Sequence, residues 1–231
     1  GRLQLEIGGK VVGVYLKRYN AFSWRYRLGS LFIPSGASRS WEGASILLNA
    51  GFRTGRPIAA VECRSWCMLD KSFYLSEEIP GGKTADNYWL GELASIQGPE
   101  GFFRRRNFLR GLARLFGSLH ERRIYHNDLK DANILVSSGS GPGSESFFLL
   151  DLEGIRKYRC LSRRRQVKNL IQLNRTMGRF LKGTEKLCWL REYLGNRFFD
   201  RKEKREWIRK ILERSVRGDR RSLRKRSIAL D

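Results

Sequence analysis

The sequence predicts an α+β fold in two lobes, a small β-rich N-terminal lobe with one main helix and a helical C-terminal lobe. Three observations predict it. Before residue 76, β-branched and aromatic runs alternate with turn signals. The segment Ser76-Glu77-Glu78-Ile79-Pro80-Gly81-Gly82 then breaks the pattern, and beyond it apolar residues recur at helical spacing. Inside the helical part lies one polar run, His126-Asn127-Asp128-Leu129-Lys130-Asp131-Ala132-Asn133, followed by two apolar runs and Asp151.

In chain order, Val11–Tyr19 reads as a hairpin strand after the turn signal Gly8-Gly9, with Lys17 near its end. Residues 33–36 form a loop around Pro34. Ser38 is the expected cap of a helix that carries Trp41, Ala44, Leu47 and Leu48 on one face and stops at Gly51. Residues 58–66 and 73–75 are further strands. The lobe boundary follows, giving domains 1–78 and 79–231. Phe108, Leu109, Leu112, Leu115, Phe116 and Leu119 form a helical stripe that ends just before the polar run. Ile134-Leu135-Val136 and Phe147–Leu150 are strands joined by the flexible connection Ser137–Ser146. Three apolar helical stripes complete the chain, ending in a basic C-terminal helix or tail.

Composition bounds the function. A chain of 231 residues with 41% hydrophobic and 12% aromatic content buries a substantial core. No run approaches the length of a membrane-spanning helix, and Gly1-Arg2-Leu3-Gln4-Leu5 lacks the apolar region of a signal peptide. The chain does not begin with Met, as a fragment or a processed product would not. Four cysteines suit a reduced compartment better than a disulfide framework, and the Cys63/Cys67 pair is a weak zinc signal. The net charge of +23 implies a polyanionic partner, whether nucleic acid, an anionic membrane surface or a phosphorylated substrate.

The polar run carries the chemistry. A turn between a helix and a hairpin can be polar without function, since Asn and Asp are ordinary turn residues. That account leaves the spacing of Lys130 and Asn133, and Asp151 at a strand end, as coincidences. Phosphoryl transfer needs all of them. Asp128 accepts the proton of an acceptor hydroxyl or orients it. Lys130 reaches the γ-phosphoryl oxygens, and Asn133 and Asp151 supply hard oxygens to Mg²⁺. His126 fits packing better than proton transfer. Lys17 is the candidate for the α/β-phosphates of ATP, with Glu42 as the carboxylate that orients it. Glu77 and Ile79, where the lobes join, are assigned to nucleotide binding with them.

These residues resemble the protein-kinase-like superfamily, and most closely its lipopolysaccharide kinase (Kdo/WaaP) branch. Tyr15-Leu16-Lys17-Arg18-Tyr19, Trp41-Glu42, Leu47–Phe52 with Pro57, the polar run, Asp151-Leu152-Glu153-Gly154 and Val167–Asn174 carry the resemblance, from about residue 5 to residue 200. It implies a bilobal protein-kinase-like fold. It also implies ATP- and Mg²⁺-dependent phosphorylation of a heptose or Kdo sugar of the lipopolysaccharide inner core. The acceptor would be met peripherally on the cytoplasmic face of a Gram-negative inner membrane.

The sequence departs from protein kinases in instructive ways. Asp151-Leu152-Glu153 replaces Asp-Phe-Gly, and the segment to Arg163 leaves no room for a peptide-docking activation loop. No glycine-rich loop precedes Lys17. Glu153 reads equally as a metal ligand or a solvent-facing carboxylate. Residues 201–226 carry thirteen Lys/Arg against four Asp/Glu, interleaved with Trp207, Ile208, Ile211 and Leu212, which suits anionic lipid ahead of nucleic acid. The alternatives are a RIO-like Ser/Thr protein kinase and a basic pseudokinase that serves as a binding module.

Overall fold

The structure is a computed structural model and describes residues 1–7, 9–21, 23–139 and 144–228. In chain order its elements are β1 (Arg2–Ile7), β2 (Lys10–Asn20), α1 (Trp24–Gly29), α2 (Gly36–Asn49), β3 (Pro57–Ser65), β4 (Met68–Glu77), β5 (Lys83–Thr84), α3 (Ala85–Tyr88), a π-helical turn (Trp89–Leu93), α4 (Gly98–Glu121), β6 (Ile124–His126), β7 (Ile134–Ser137), β8 (Ser146–Leu149), β9 (Ile155–Lys157), α5 (Arg163–Arg175), α6 (Gly183–Leu194) and α7 (Arg201–Ile228). Gly8 of the expected Gly8-Gly9 turn, and residues 140–143 of the expected flexible connection, lie outside the described residues.

Contacts divide the chain into two compact units. One is Gly1–Gly82 with Phe148–Lys157, and the other is Lys83–Phe147 with Tyr158–Asp231. Residues 148–157 follow the polar run in sequence yet group with the first unit. Leu149 N–H donates to Arg53 O at 2.9 Å, and Thr54 Oγ1 donates to Leu149 O at 2.7 Å.

In the first unit, β1, β2, β4 and β3 form an antiparallel sheet in that order. β2 runs three residues past Lys17 and pairs with β4 from Val14↔Glu77 to Asn20↔Lys71. β4 is much longer than residues 73–75. Its inward positions are Leu69, Ser72, Tyr74 and Ser76, and the two serines break the apolar alternation by which a half-buried strand is recognised. The β3–β4 turn places Trp66 and Cys67 at φ 53 and 63°, the positive pair that a tight hairpin turn demands.

Helix α2 begins two residues before the expected cap. Ser35, extended at φ −63° and ψ 166°, accepts the Ser38 N–H at 3.0 Å, whereas the Ser38 hydroxyl donates to Glu62 at 2.8 Å. The helix closes at Gly51, whose φ of 77° lets the Phe52 N–H turn back to Leu47 O at 2.9 Å. Ala37, Ala44 and Leu47 form its buried face.

The second unit is built on α4, which extends the predicted stripe to both sides. Phe108, Leu109, Leu112, Phe116 and Leu119 are buried. Aromatic rings continue this core, with Phe116 edge-on to Trp189, Trp189 stacked on Tyr193, and Tyr193 edge-on to Trp207 at centroid separations of 5.4, 5.4 and 5.8 Å. Helix α7 packs on α5. Asn174 donates to Ser215 at 3.0 Å, Arg175 pairs with Asp219 at 2.8 Å, and Trp207 is fully buried under the Arg163 guanidinium. Along α7, Trp207 is spent on the protein's own core, whereas Leu212 and Val216 stay about half exposed. β5 pairs with β7 through Lys83↔Val136 and Thr84↔Leu135, beside the polar run.

Candidate active site

The predicted site residues fall into two groups, one in each unit. In the first unit Lys17 sits on β2 with Tyr19 two residues on, on the same face of the strand, and its ammonium lies 4.9 Å from the Tyr19 ring centre. The Lys17 Nζ donates to Asp151 Oδ1 in a short, partly exposed ion pair. Burial alone would lower the pKa of Lys17, but the Asp151 hydrogen bond and nearby negative charge outweigh it, and the value rises above its usual 10.5. Burial also raises the Tyr19 hydroxyl, so Tyr19 is neutral at pH 7 and Asp151 is the partner that holds Lys17 charged.

Asp151 occupies the left-handed region, at φ 55° and ψ 57°. Two close approaches set the surroundings. Any Cβ at Gly43 of α2 would lie 2.1 Å from Leu152 O, and any Cβ at Gly36 would lie 2.5 Å from the Tyr19 ring. Both positions need glycine, and both seat α2 directly against the strand and turn that carry Lys17 and Asp151. The Tyr19 hydroxyl meets Ser40 Oγ at 2.7 Å and completes the contact.

This packing corrects one expectation. Lys17 pairs with Asp151 and not with Glu42. On a helix, consecutive residues point about 100° apart, and with Gly43 against Leu152, Glu42 turns out to solvent. It is exposed and makes no ion pair among the described residues. Glu153, undecided from sequence, pairs with Arg39 of α2 at 3.6 Å. Glu77 ends β4, its N–H bonded to Arg56 O at 2.8 Å, and Ile79 follows, half-buried, its carbonyl accepting the Gly82 N–H at 3.4 Å.

In the second unit the run after β6 folds into a tight loop. Asp128 Oδ2 pairs with Lys130 Nζ at 2.6 Å. Asn133 Nδ2 donates to the Asp128 carbonyl at 2.7 Å and to Oδ2 at 3.2 Å, which leaves Asn133 Oδ1 as an acceptor. The structure thus brings Asp128, Lys130 and Asn133 together. His126 is buried, and its Nδ1 accepts the Asp128 N–H at 3.1 Å, a structural role as expected.

What sequence reasoning missed is the support behind this loop. Asn169 and Gln172, one turn apart on α5, grip its backbone. Asn169 Nδ2 donates to His126 O at 2.6 Å, and Gln172 Nε2 donates to Asn127 O at 2.6 Å. Gln172 Oε1 accepts the Leu129 N–H at 3.3 Å. Behind Asn169, its Oδ1 meets His120 Nε2 at 3.1 Å, and His120 Nδ1 meets the Tyr193 hydroxyl at 2.9 Å. Burial, only partly offset by Asn169, lowers the His120 pKa to about 4, so the ring is neutral. Asp131, also buried, accepts the Ala132 N–H at 2.9 Å, and burial raises its carboxyl. Two amides one helical turn apart were the available signal, but nothing in the sequence names their backbone partners.

Taken by itself, each unit carries an oxygen of the kind that suits Mg²⁺. Mg²⁺ takes one or two protein oxygens together with water and substrate phosphates, not a full protein cage. Among the described residues no three His, Cys, Asp or Glu side chains converge on one point. Asn133 Oδ1 and Asp151 Oδ2 are hard oxygens without another hydrogen bond among the described residues.

No curated protein matches the chain. A solved structure described as WaaP in complex with acyl carrier protein matches with TM-score 0.68 and 18% identity, over 94% of this chain and 83% of that one. At that identity the likeness speaks to the fold, a kinase-like mixture of helix and sheet. The lipopolysaccharide kinase (Kdo/WaaP) family model matches residues 13–193, well over half the chain. That span holds Lys17, Asp128 and Asp151 alike, and the chain belongs to this family of kinases.

Proposed function

We propose that this kinase transfers the γ-phosphoryl group of ATP to a hydroxyl of a heptose or Kdo sugar in the lipopolysaccharide inner core. It would work peripherally on the cytoplasmic face of a Gram-negative inner membrane. The observation that carries the reading is the loop around Asp128. Lys130 and Asn133 both take Oδ2, so Oδ1 is left to receive the hydrogen of an acceptor hydroxyl.

Bound Mg²⁺-ATP supplies the phosphoryl group and the positive charge that offsets charge building on it. The chain's own residues do the positioning. Asp128 orients the hydroxyl and takes its proton, and Lys130 steadies the transferring oxygens. Asn133 Oδ1 and Asp151 Oδ2 are the oxygens offered to the metal, and Lys17 carries the charge for the α/β-phosphates. Glu77 and Ile79 offer backbone groups to the base. The net charge of +23 supports an acceptor rich in phosphate and carboxylate.

The test is transfer of labelled γ-phosphate from ATP, with Mg²⁺, to deacylated lipopolysaccharide core and in parallel to a generic protein. Label on the sugar, reduced by at least about a thousandfold in Asp128→Ala, supports the proposal. Label on protein alone would move the reading to a RIO-like kinase. Undiminished transfer by Asp128→Ala would refute the role given to this residue.

A further inference from the structure

The acceptor assigned above lies at a membrane, a reading on which this inference rests, and Trp207, the largest apolar side chain of α7, is buried against the protein. Another surface presents what a bilayer interface takes up. In the first unit Trp66 at the tip of the β3–β4 hairpin is 93% exposed, Phe32 after α1 is 89% exposed, and Trp24 on α1 is 69% exposed, with Leu28, Leu31 and Ile33 about half exposed beside them. These side chains belong to one patch. Arg64 Nη1 donates to Ser30 O at 3.4 Å and to Cys67 O at 2.9 Å, and Leu69 N–H donates to Ser30 Oγ at 2.9 Å, so the α1 segment and the hairpin tip are tied together.

The uncompensated charge at the patch is positive: Arg27, Arg39 and Arg64 are matched by Asp70, Glu153 and Glu62, and Arg25 makes no ion pair among the described residues. Ala21–Trp41 holds three arginines and no carboxylate. The two nearby carboxylates are both engaged: Asp70 by Arg27 at 2.5 Å and by the Ser65 hydroxyl, and Glu62 by Arg64 at 2.8 Å and by Ser38 at 2.8 Å. The Arg25 guanidinium lies 5.6 Å from the Trp24 ring centre. Protruding Trp and Phe amid Arg, with no free carboxylate, match the interfacial zone of an anionic bilayer, where indole rings settle at the headgroups and arginines meet phosphate. Projecting tips, in place of a flat apolar face, favour a fluid surface over a shaped protein partner.

We propose that the patch of Trp24, Phe32 and Trp66 is an interfacial anchor that inserts its aromatic tips into the headgroup region of an anionic phospholipid bilayer. It is tested on the full chain with vesicles of phosphatidylglycerol and phosphatidylcholine in equal parts, against phosphatidylcholine alone, with no lipopolysaccharide present. The wild type should sediment with the anionic vesicles, and phospholipids brominated along their chains should quench its tryptophan fluorescence. The double variant Phe32→Ser/Trp66→Asn should lose about tenfold in partition; Asn is chosen because the Trp66 φ of 53° suits it. Both side chains are solvent-facing, so the thermal melt should not move.

Equal partition of variant and wild type would overturn the proposal. So would vesicle binding without bromine quenching, which would mean charge alone, and so would a wild-type self-association that the double variant abolishes, which would make a second copy the occupant. Transfer to deacylated core in solution, measured on the same variant, should stay at the wild-type level. If the wild type fails to phosphorylate core yet is quenched through these tips, the acceptor reading falls and the anchor stands; transfer with no vesicle difference fails the anchor alone.

Discussion

Asn169 shows how much of an active loop can hang on one neutral side chain. His126 O can only accept, so the Asn169 amide must face it with nitrogen, and its oxygen then faces His120 Nε2. His120, with that nitrogen protonated, accepts from Tyr193 at Nδ1. The donors and acceptors form one ordered line from α6 to the loop that bears Asp128. Asn169→Leu keeps the volume and breaks the line, taking the Asn169 donor from the His126 carbonyl and the acceptor from His120 Nε2. We expect kcat to fall about a hundredfold, from misplacement of Asp128, with the KM for ATP changed less than about twofold. Steady-state kinetics separate this from simple unfolding, which would remove active enzyme without splitting kcat from KM. Asp128, Lys130, Asn133 and Asp151 were legible in the sequence because their chemistry lies in their own spacing. Asn169 was not, because its partners lie 43 and 49 residues away.

Among the elements, legibility followed the strength of the local pattern. The α4 stripe was plain because its buried positions are all large and apolar, whereas β4 was half hidden by Ser72 and Ser76 in its core positions. Helix α1, six residues long, is too short to show a period. Helix α2 was found, but its rotation was not. Sequence pointed to Glu42 as the inward carboxylate, whereas the glycine beside it makes the contact that places Asp151. Gly43→Ala would put a methyl 2.1 Å from Leu152 O and force α2 and that turn apart. We expect a stability loss of about 2 kcal/mol by urea denaturation. Weaker Mg²⁺-nucleotide binding should accompany it by calorimetry, while a distant Gly→Ala such as Gly91→Ala, in open space, should leave that binding unchanged.

For the molecule as a whole, charge and acid stability are linked. His120 is neutral in the folded chain with a pKa near 4, against 6.5 in its ordinary state. Above pH 6.5 the ring is neutral both folded and unfolded and has no effect on stability. Between pH 6.5 and 4 the unfolded chain takes up a proton that the folded chain refuses, so stability falls across that window, by roughly 3 kcal/mol in all. Urea midpoints at pH 7 and pH 5 should show the loss, and His120→Gln, which cannot take up the proton, should flatten it. Equal pH dependence in the variant would assign the acid limb to other groups. With +23 charges already present, every further proton also adds to the repulsion of the compact state, so the chain should tolerate alkaline conditions better than acid ones.

Asp151 faces a double filter. Its left-handed backbone is comfortable for glycine, asparagine and aspartate and for little else, and of those three only aspartate bears the negative charge that Lys17 meets. Shape and chemistry thus select the same residue independently. Asparagine, one nucleotide away in either aspartate codon and closest to it in shape, keeps the turn intact and gives up the charge. Inheritance at this position has an asymmetric exit: a lineage that no longer needed phosphoryl transfer could leave through Asn and keep a well-folded protein. Return would require the reverse of that one change and nothing else in the surrounding structure.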